Sequence, residues 1–504
     1  MLLGIDAGTT HLKAGLFRLD GECVHVARRP TPTTWEPDGC SHHAPEAIWQ
    51  AVADAIAEVM AHSDGEPVDA VGIAGMAETG LLMDRATGVP RCPFLPWFDS
   101  ASAPQAGLLA RADDPVERFL KAGMRPSPKV GLSKILQMKD RDARLLDGAA
   151  WLSVPSFIAW KLTGAFATDP SLAARTYAFR LDRREWDTDW IDSLGVSPAL
   201  FPDILPSGQQ AGRVSPAAEA STRVRAGTPV AVSGHDHVCA ALAVGILHPG
   251  AVLDSMGTAE TLVGAMAVRP LCPEDHASGL AFGCHVVLDR MFWMGGISSS
   301  GASVEWLRCQ LDDRPMTYEA LAALLEGLTP GPGDLLFFPY LRGSGAPWPD
   351  ARMRGAFVGI DDSHTRAHLF RAVLEGTAYE VEAMRRSAET AMGASTSRVS
   401  VVGGGAMNAA WMQIKADVAG CALDVPALNE AAALGAALCA AIGQGIYASA
   451  DAAAAAVARA GVAYAPDPHR HPAYRRVLQD AYIPMHAGLR DHFARMTEAL
   501  RIAA

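Results

Sequence analysis

Leu2-Leu3-Gly4-Ile5-Asp6-Ala7-Gly8-Thr9-Thr10 is the stretch that decides the architecture. An apolar strand runs into an aspartate and a tight Ala-Gly-Thr-Thr turn. A second strand follows over Leu12 to Leu19, and Asp20-Gly21 turns the chain into a third, Glu22 to Arg28. An Asp-Gly pair between such runs is a strong hairpin signal. Beyond it, Pro45 opens a helix in which Ile48, Trp49, Val52, Ile56, Val59 and Met60 recur at helical spacing, and a strand over Val68 to Ala74 follows. Strands alternating with helices place the chain in the α/β class. Near its middle the opening is echoed: Ala251 to Asp254, the turn Ser255-Met256-Gly257-Thr258, then Glu260 to Met266. The two Gly-Thr pairs stand 249 residues apart, about half the chain. That spacing predicts two related domains, each offering one hairpin to a shared cleft. Turn chemistry in Pro249-Gly250 puts the boundary between residues 1–245 and 246–504.

Composition agrees and narrows the function. With 504 residues, the chain exceeds the size at which one core stops growing. A net charge of -12, from 55 acidic against 43 basic residues, argues against a nucleic-acid partner, which needs clustered Lys and Arg. The longest apolar run, Ala431 to Ile442, is far short of the roughly 20 residues of a membrane span. Asp6 interrupts an N-terminus that has no basic start, so no secretory signal is read and a cytoplasmic location is expected. Nine scattered cysteines without a C-x-x-C pair predict neither disulfides nor a zinc site; most are expected to be small buried hydrophobes. Asp451 to Ala460 reads as a peripheral alanine-rich helix, and the tail beyond Pro466 as a capping helix without chemistry.

Three stretches carry chemistry. Asp6 with Ala7-Gly8-Thr9-Thr10 combines a carboxylate for a hydrated cation, exposed backbone N–H groups and two hydroxyls; Gly8 lets backbone approach a phosphate, and Lys13 adds a cation. The plain alternative is an ordinary hairpin. There is no Gly-Lys dipeptide, hence no Walker A loop, and no G-x-G-x-x-G after the first strand. The second stretch, Pro229 to His237, is an apolar strand ending in Gly234, His235, Asp236 and His237. Asp236 at a strand end can accept a proton from a substrate hydroxyl, or cap a helix starting near Val238. Two histidines without a third spaced partner read as substrate contacts or packed side chains before metal ligands. The third stretch, Val399 to Asn408, runs a buried strand through Gly403-Gly404-Gly405 into a helix, a flat backbone surface for a planar base beside a helix N-terminus.

In this order and at these separations, the three stretches resemble the FGGY carbohydrate kinases, members of the superfamily of sugar kinases, heat-shock chaperone ATPases and actin. The likeness runs nearly end to end, through Lys161 to Gly164, Asp169 to Thr176, Trp186-Asp187, Pro206 to Val214, Gly295 to Trp306, Arg354-Gly355 with Gly359, and Glu430 to Ala437. It implies two actin-like, ribonuclease H-like domains with ATP in the cleft between them. On that likeness Asp6, Gly8, Thr9, Thr10 and Lys13 form a first phosphate loop, and Gly257 and Thr258 a second. Gly301 and Glu305 line the nucleotide, Gly404, Gly405 and Asn408 match the adenosine motif, Asp236 is the base, and Asp6 with Asp236 attends a magnesium ion.

The acceptor side departs from known patterns. Gly75-Met76-Ala77-Glu78-Thr79-Gly80 is neither the Gln-Met-His-Gly of xylulokinases nor the Gln-Arg-Glu-Thr of glycerol kinases, and the arginine beside Glu78 is missing, which disfavours glycerol. His235-Asp236-His237 is closer to the His-Asp pairs of deoxysugar kinases. Trp97 and Asp99 match a Trp-x-Asp segment that borders the sugar pocket, so Glu78, Trp97, Asp99, His235 and His237 are the expected acceptor contacts. The expected activity is ATP-dependent phosphorylation of a small sugar or polyol, a ketopentose such as xylulose first, with a deoxysugar, tetritol or hexonate as alternatives. A chaperone-like switch lacks residues for a peptide-binding module, and a sugar sensor would need neither base nor magnesium. A homodimer is compatible with this reading.

Overall fold

The opening hairpin folds as read. A computed structural model, describing residues 1–312 and 314–502, arranges β1 (Leu2–Ala7), β2 (His11–Phe17) and β3 (Cys23–Pro30) as an antiparallel meander. All six residues of β1 are buried, as expected of a strand covered on both faces. In helix α1 (Pro45–Met60), Pro45 takes the first turn, where its missing N–H costs nothing, and Ile48, Trp49, Val52, Ile56 and Val59 form the buried stripe. β4 (Ala70–Gly75) pairs in parallel with β1. Helices α2 (Gly131–Arg141), α3 (Val154–Thr163) and α4 (Pro170–Ala174) and strand β5 (Gln210–Arg213) precede β6 (Pro229–His235), which leads directly into α5 (Asp236–Ala243). The sheet order is β5-β6-β4-β1-β2-β3.

The second half repeats the plan. β7 (Ala251–Met256) and β8 (Glu260–Ala267) form the second hairpin, and β9 (Ala281–Cys284) and β10 (Arg290–Ile297) extend it. Then come α6 (Gly301–Gln310), the long α7 (Arg366–Met392), β11 (Arg398–Val402), α8 (Ala409–Ala419), β12 (Leu423–Val425), α9 (Ala431–Gly443) and β13 (Val462–Tyr464). The order is β9-β10-β8-β7-β11-β12-β13. In each sheet the hairpin's first strand joins an antiparallel partner on one side and a parallel one on the other: β2-β1-β4 and β8-β7-β11. This is the repeated α/β architecture the two Gly-Thr turns predict.

The alanine-rich run is a packing device between the halves. A Cβ on Gly4 would stand 1.9 Å from the Ala433 carbonyl oxygen, one on Gly72 1.9 Å from that of Ala436, and one on Gly435 1.8 Å from that of Cys239. Bare glycine and small alanine therefore let α9 lie flush on β1, β4 and α5, and the Ser233 hydroxyl donates to the Ala436 carbonyl at 2.7 Å. A hydrophobic cluster drawn from both halves, from Leu2 and Ala70 to Phe292 and Leu438, forms the floor beneath the cleft. Among the described residues no helix is long and apolar enough to cross a membrane. All nine cysteines are free; the expectation of burial holds in full only for Cys239, Cys284 and Cys439, and Cys309 is exposed on α6. The expected peripheral helix spans Ala450–Val457. The tail does more than cap: Tyr474 and Tyr482 are buried and donate to Glu375 and Glu380 of α7 at 3.2 and 3.0 Å.

Candidate active site

Adjacent strands deliver the site's two aspartates to the same edge. β1 ends in Asp6-Ala7, its neighbour β4 in Gly75, and β6, paired with β4, in His235 immediately before Asp236. Gly8 closes the first turn with its N–H on the His11 carbonyl at 3.2 Å. Asp6 is buried and its Oδ1 has no hydrogen-bond partner among the described residues. Burial pushes its pKa up to about 7, with Asp236 and Glu430 adding to the rise and Lys13 opposing it. Lys13, expected at a phosphate, here pairs with Glu430 at 2.7 Å and with Asp6 at 3.6 Å. Glu430 stands at the N-cap of α9 with φ 53°, a left-handed conformation uncommon outside glycine, and also accepts from Arg28 at 2.5 Å. Thr9 accepts a 2.7 Å hydrogen bond from Trp97 Nε1, so the first Gly-Thr turn is tied to the segment that carries Trp97. Thr10 is exposed.

Asp236 opens α5 instead of capping it. β6 runs through His235, which takes the N-cap position, so helical geometry starts one residue before Asp236 could cap. Asp236 Oδ1 accepts from the His237 amide at 2.7 Å, with His235 Nε2 at 3.2 Å and His237 Nε2 at 4.0 Å. Burial acts to raise its pKa, but the two histidines and the amide outweigh this and hold it below the usual value. Burial brings the His235 imidazole down to about 4, so it is neutral at pH 7. The strand end is aimed from behind: the His235 N–H donates to Ser171 Oγ at 2.9 Å, while Asp169 caps α4 and accepts from Ser207 at 2.6 Å. Gly234, at φ 131°, is required there, since a Cβ would meet Ser171 Oγ at 2.4 Å. His235, Asp236 and His237 bring ligand atoms within 4.8 Å of one another. The unpartnered oxygen of Asp6 beside Asp236 is the better fit to magnesium, a hard cation that prefers oxygen ligands.

A cleft of about 260 Å³ opens over Asp236, lined by Thr9, Glu78, Trp97, His235 and His237 from the first half and by Ala259 and Glu260 from the second. Sequence reading missed its basic residues. Arg175 grips Glu78 through Nε at 2.9 Å and Nη2 at 2.5 Å. Burial works to raise the Glu78 pKa, yet Arg175, with His235, brings it down to about 2. The arginine lacking beside Glu78 in sequence is thus supplied in space by α4's following residue, and its absence from the motif is no ground against glycerol. Lys134, buried, donates to the carbonyls of Glu78 at 2.7 Å and Lys129 at 2.9 Å. Asp99 is not among the lining residues; its carboxylate is used by the amides of Ser41 and Ala101, both at 2.7 Å, which fixes a turn.

A second cavity, about 1030 Å³, lies on the far side of the second hairpin and is lined by Gly257, Thr258, Gly301, Glu305, Gly404, Gly405 and Asn408, every nucleotide residue expected from the second half. Gly301 packs against the turn, where a Cβ would stand 2.5 Å from the Gly257 carbonyl oxygen. Around Gly404 a Cβ would meet nothing within 4 Å, so that backbone is open to the cavity. Asn408 caps α8 through the Trp411 amide at 3.0 Å, and Glu305 pairs with Arg308 at 2.5 Å. Beneath the hairpin a buried ammonium, Lys415, joins Asp254 at 2.7 Å and Glu260, and Ser300 donates to Glu260 at 2.5 Å. Burial and Asp254 push the Glu260 pKa up to about 8 against Lys415.

Gly257 and Thr258 line the large cavity and the next two residues, Ala259 and Glu260, line the small one. One turn thus separates a nucleotide-sized space from a sugar-sized space. Residues 1–243 match the N-terminal domain of the FGGY family of carbohydrate kinases and residues 253–443 its C-terminal domain. The chain is 32% identical over 461 residues to a glycerol kinase of Gloeobacter violaceus, covering 88% of each. It is 28% identical over 496 residues to a xylulose kinase of Bacillus subtilis, covering 97% of each. The crystal structure of a xylulose kinase from Rhodospirillum rubrum superposes with a TM-score of 0.87 at 27% identity, covering 98% of this chain and 99% of that one. With a fold of two repeated α/β halves, a cavity on each side of the second hairpin and both domains matched, the chain belongs to the FGGY family of carbohydrate kinases and is an ATP-dependent sugar kinase.

Proposed function

We propose that the small cleft holds a polyhydroxylated acceptor with one hydroxyl against Asp236, and that this hydroxyl takes the γ-phosphoryl group of ATP. The observation that carries the reading is the single turn, Gly257 to Glu260, whose consecutive residues face the two cavities. Asp236 stays ionised at neutral pH and accepts the hydroxyl proton as the new O–P bond forms and the bond to the bridging oxygen of ADP breaks. His235 and the His237 amide hold that carboxylate in place. Glu78, kept charged by Arg175, accepts hydrogen bonds from further hydroxyls, and Trp97 forms a wall. Asp6, through its unpartnered oxygen, and Asp236 would hold magnesium, which when bound neutralises charge on the phosphate oxygens. The cleft volume, at the small end of ligand pockets (about 300–1,000 Å³), suits a short-chain acceptor, a class that includes glycerol, a ketopentose such as xylulose, a deoxysugar, a tetritol and a hexonate.

The test is ADP release from ATP and magnesium across that panel, beside Asp236→Ala. Turnover with at least one acceptor, reduced by about 10²–10⁴-fold in the variant with ATP affinity retained, is the expected result. Sugar-independent hydrolysis, or full turnover in Asp236→Ala, would refute it.

A further inference from the structure

Three carboxylates line the acceptor cleft, and each is matched. Glu78 is held by Arg175, Asp236 by the His237 amide and His235, and Glu260 by Lys415 and Ser300. Lys129 also lines the cleft, and among the described residues its ammonium has no ion-pair or hydrogen-bond acceptor. Its one close partner is the Trp97 ring, 5.1 Å from Nζ to centroid. The placement is built: the buried Lys134 ammonium clamps the Lys129 carbonyl and the Glu78 carbonyl together, at 2.9 and 2.7 Å, so the Lys129 loop is pinned beside Glu78. Lys129 is exposed, and its side chain borders the open cleft. The protein packed around its stem draws its pKa down, Glu78 opposing and Arg175 adding.

Resting on the kinase reading, we propose that Lys129 is a specificity-determining residue and that the preferred acceptor carries a carboxylate, a sugar acid in place of a neutral ketose or polyol. Trp97 holds the ammonium by its ring face, a weak contact of about 0.5–2 kcal/mol that leaves the N–H donors directed elsewhere. An acceptor hydroxyl would take one donor; a carboxylate takes donors through both oxygens and supplies the counter-charge that every other charged group in the cleft already has. Charge-assisted bonds of this kind are about twice as strong as neutral ones. Glu78 does not repel such an acceptor strongly, because Arg175 neutralises it at 2.5 Å.

The experiment uses matched acceptors of four, five and six carbons, each sugar acid beside the polyol and ketose of equal length, with ATP and magnesium and the full chain. For wild type, kcat/KM is expected to favour the acid by about 10- to 100-fold, carried mostly by KM. Lys129→Met should bring the ratio near one, and Lys129→Arg should restore part of the preference, which a merely structural role for Lys129 would not do. A wild-type preference for the neutral member, or an acid preference that survives in Lys129→Met, overturns the proposal while leaving the kinase reading standing. No ADP with any acceptor, although ATP binds by calorimetry, overturns the kinase reading and this inference with it.

Discussion

The two walls of the cleft are made of different materials. On the proposed nucleotide side four glycines, Gly257, Gly301, Gly404 and Gly405, present backbone beside side chains such as Tyr318, Arg342 and Trp411, with Asn408 and Glu305 occupied by their own neighbours. On the acceptor side it is charged side chains from scattered segments, Glu78, Lys129, Arg175 and Asp236. The lesson concerns tolerance. A wall of backbone fails when bulk is added to it, whereas a wall of paired charges fails when one partner is removed, because the other is left buried and unpaired. Substitutions of each kind on each side test this directly.

The largest effect belongs to the acceptor side. Arg175→Met leaves Glu78 buried without its guanidinium, a loss of the order of 3–5 kcal/mol for a broken buried pair, shared between stability and acceptor binding. The expected outcome is a lower Tm and an acceptor KM raised much more than the ATP KM, read from thermal melts and initial rates. Lys415→Met sharpens the comparison, since it breaks a buried charged cluster beneath the second hairpin: Asp254 and Glu260 lose their shared ammonium. Thermal unfolding should report a loss of similar order; an unchanged Tm would show the cluster to be neutral in net energy. A smaller effect is expected from Gly405→Leu. Its Cβ would already stand 2.9 Å from the Met256 side chain, whose flexible end can move, and the rest of the new side chain enters the cavity. The ATP KM should rise by about tenfold, the order of 1–3 kcal/mol that overpacking costs, with the acceptor KM little changed. An equal rise in both would break the contrast between the walls.

The same difference explains what could be read from sequence. Backbone sites leave a local mark: Gly257-Thr258 and Gly403 to Gly405 are glycines at the ends of strands, and each of the nucleotide residues predicted from them lies in the cavity. The repeated hairpins were legible for the same reason, since turn chemistry and alternation are local. Charge pairing is not local. Arg175 meets Glu78 across 97 residues, and Lys415 meets Asp254 across 161. Neither carries a motif, so the cleft lining was half read: Glu78, Trp97, His235, Asp236 and His237 lie in it, Arg175 and Lys129 were missed, and Asp99 sits where a turn uses it. The packing of α9 on the first sheet was likewise hidden, because its signal, Gly4 and Gly72 facing Ala433 and Ala436, is a complementarity between segments more than 360 residues apart.

A third region extends the contrast to buried carboxylates that take hydrogen bonds from tyrosine hydroxyls. Glu380 of α7 is buried and accepts hydrogen bonds from Tyr340 and Tyr482, and Tyr340 also meets His486 at 2.7 Å, so the C-terminal tail is fastened to the long helix there. Burial pushes the Glu380 pKa up to about 7, against the two tyrosines, and Glu375, which faces Tyr474, is raised to about 7 by burial against the Gly333 amide and Arg371. Both sites favour the protonated acid when folded, whereas the unfolded chain ionises near 4.5. Folded protein therefore binds more protons than unfolded over that interval, and stability must fall as pH rises from about 4.5 through about 7. This is the reverse of Glu78, whose lowered pKa gives stability that is lost only as pH falls towards about 2. The limiting slope is about 1.4 kcal/mol per pH unit for each group. Melts of wild type and Glu380→Gln across pH 5–8 measure it as a difference: the wild type should lose Tm relative to the variant as pH rises. Parallel curves would mean that Glu380 is ionised in the folded chain, and that the hydroxyls of Tyr340 and Tyr482 alone suffice to hold a buried carboxylate.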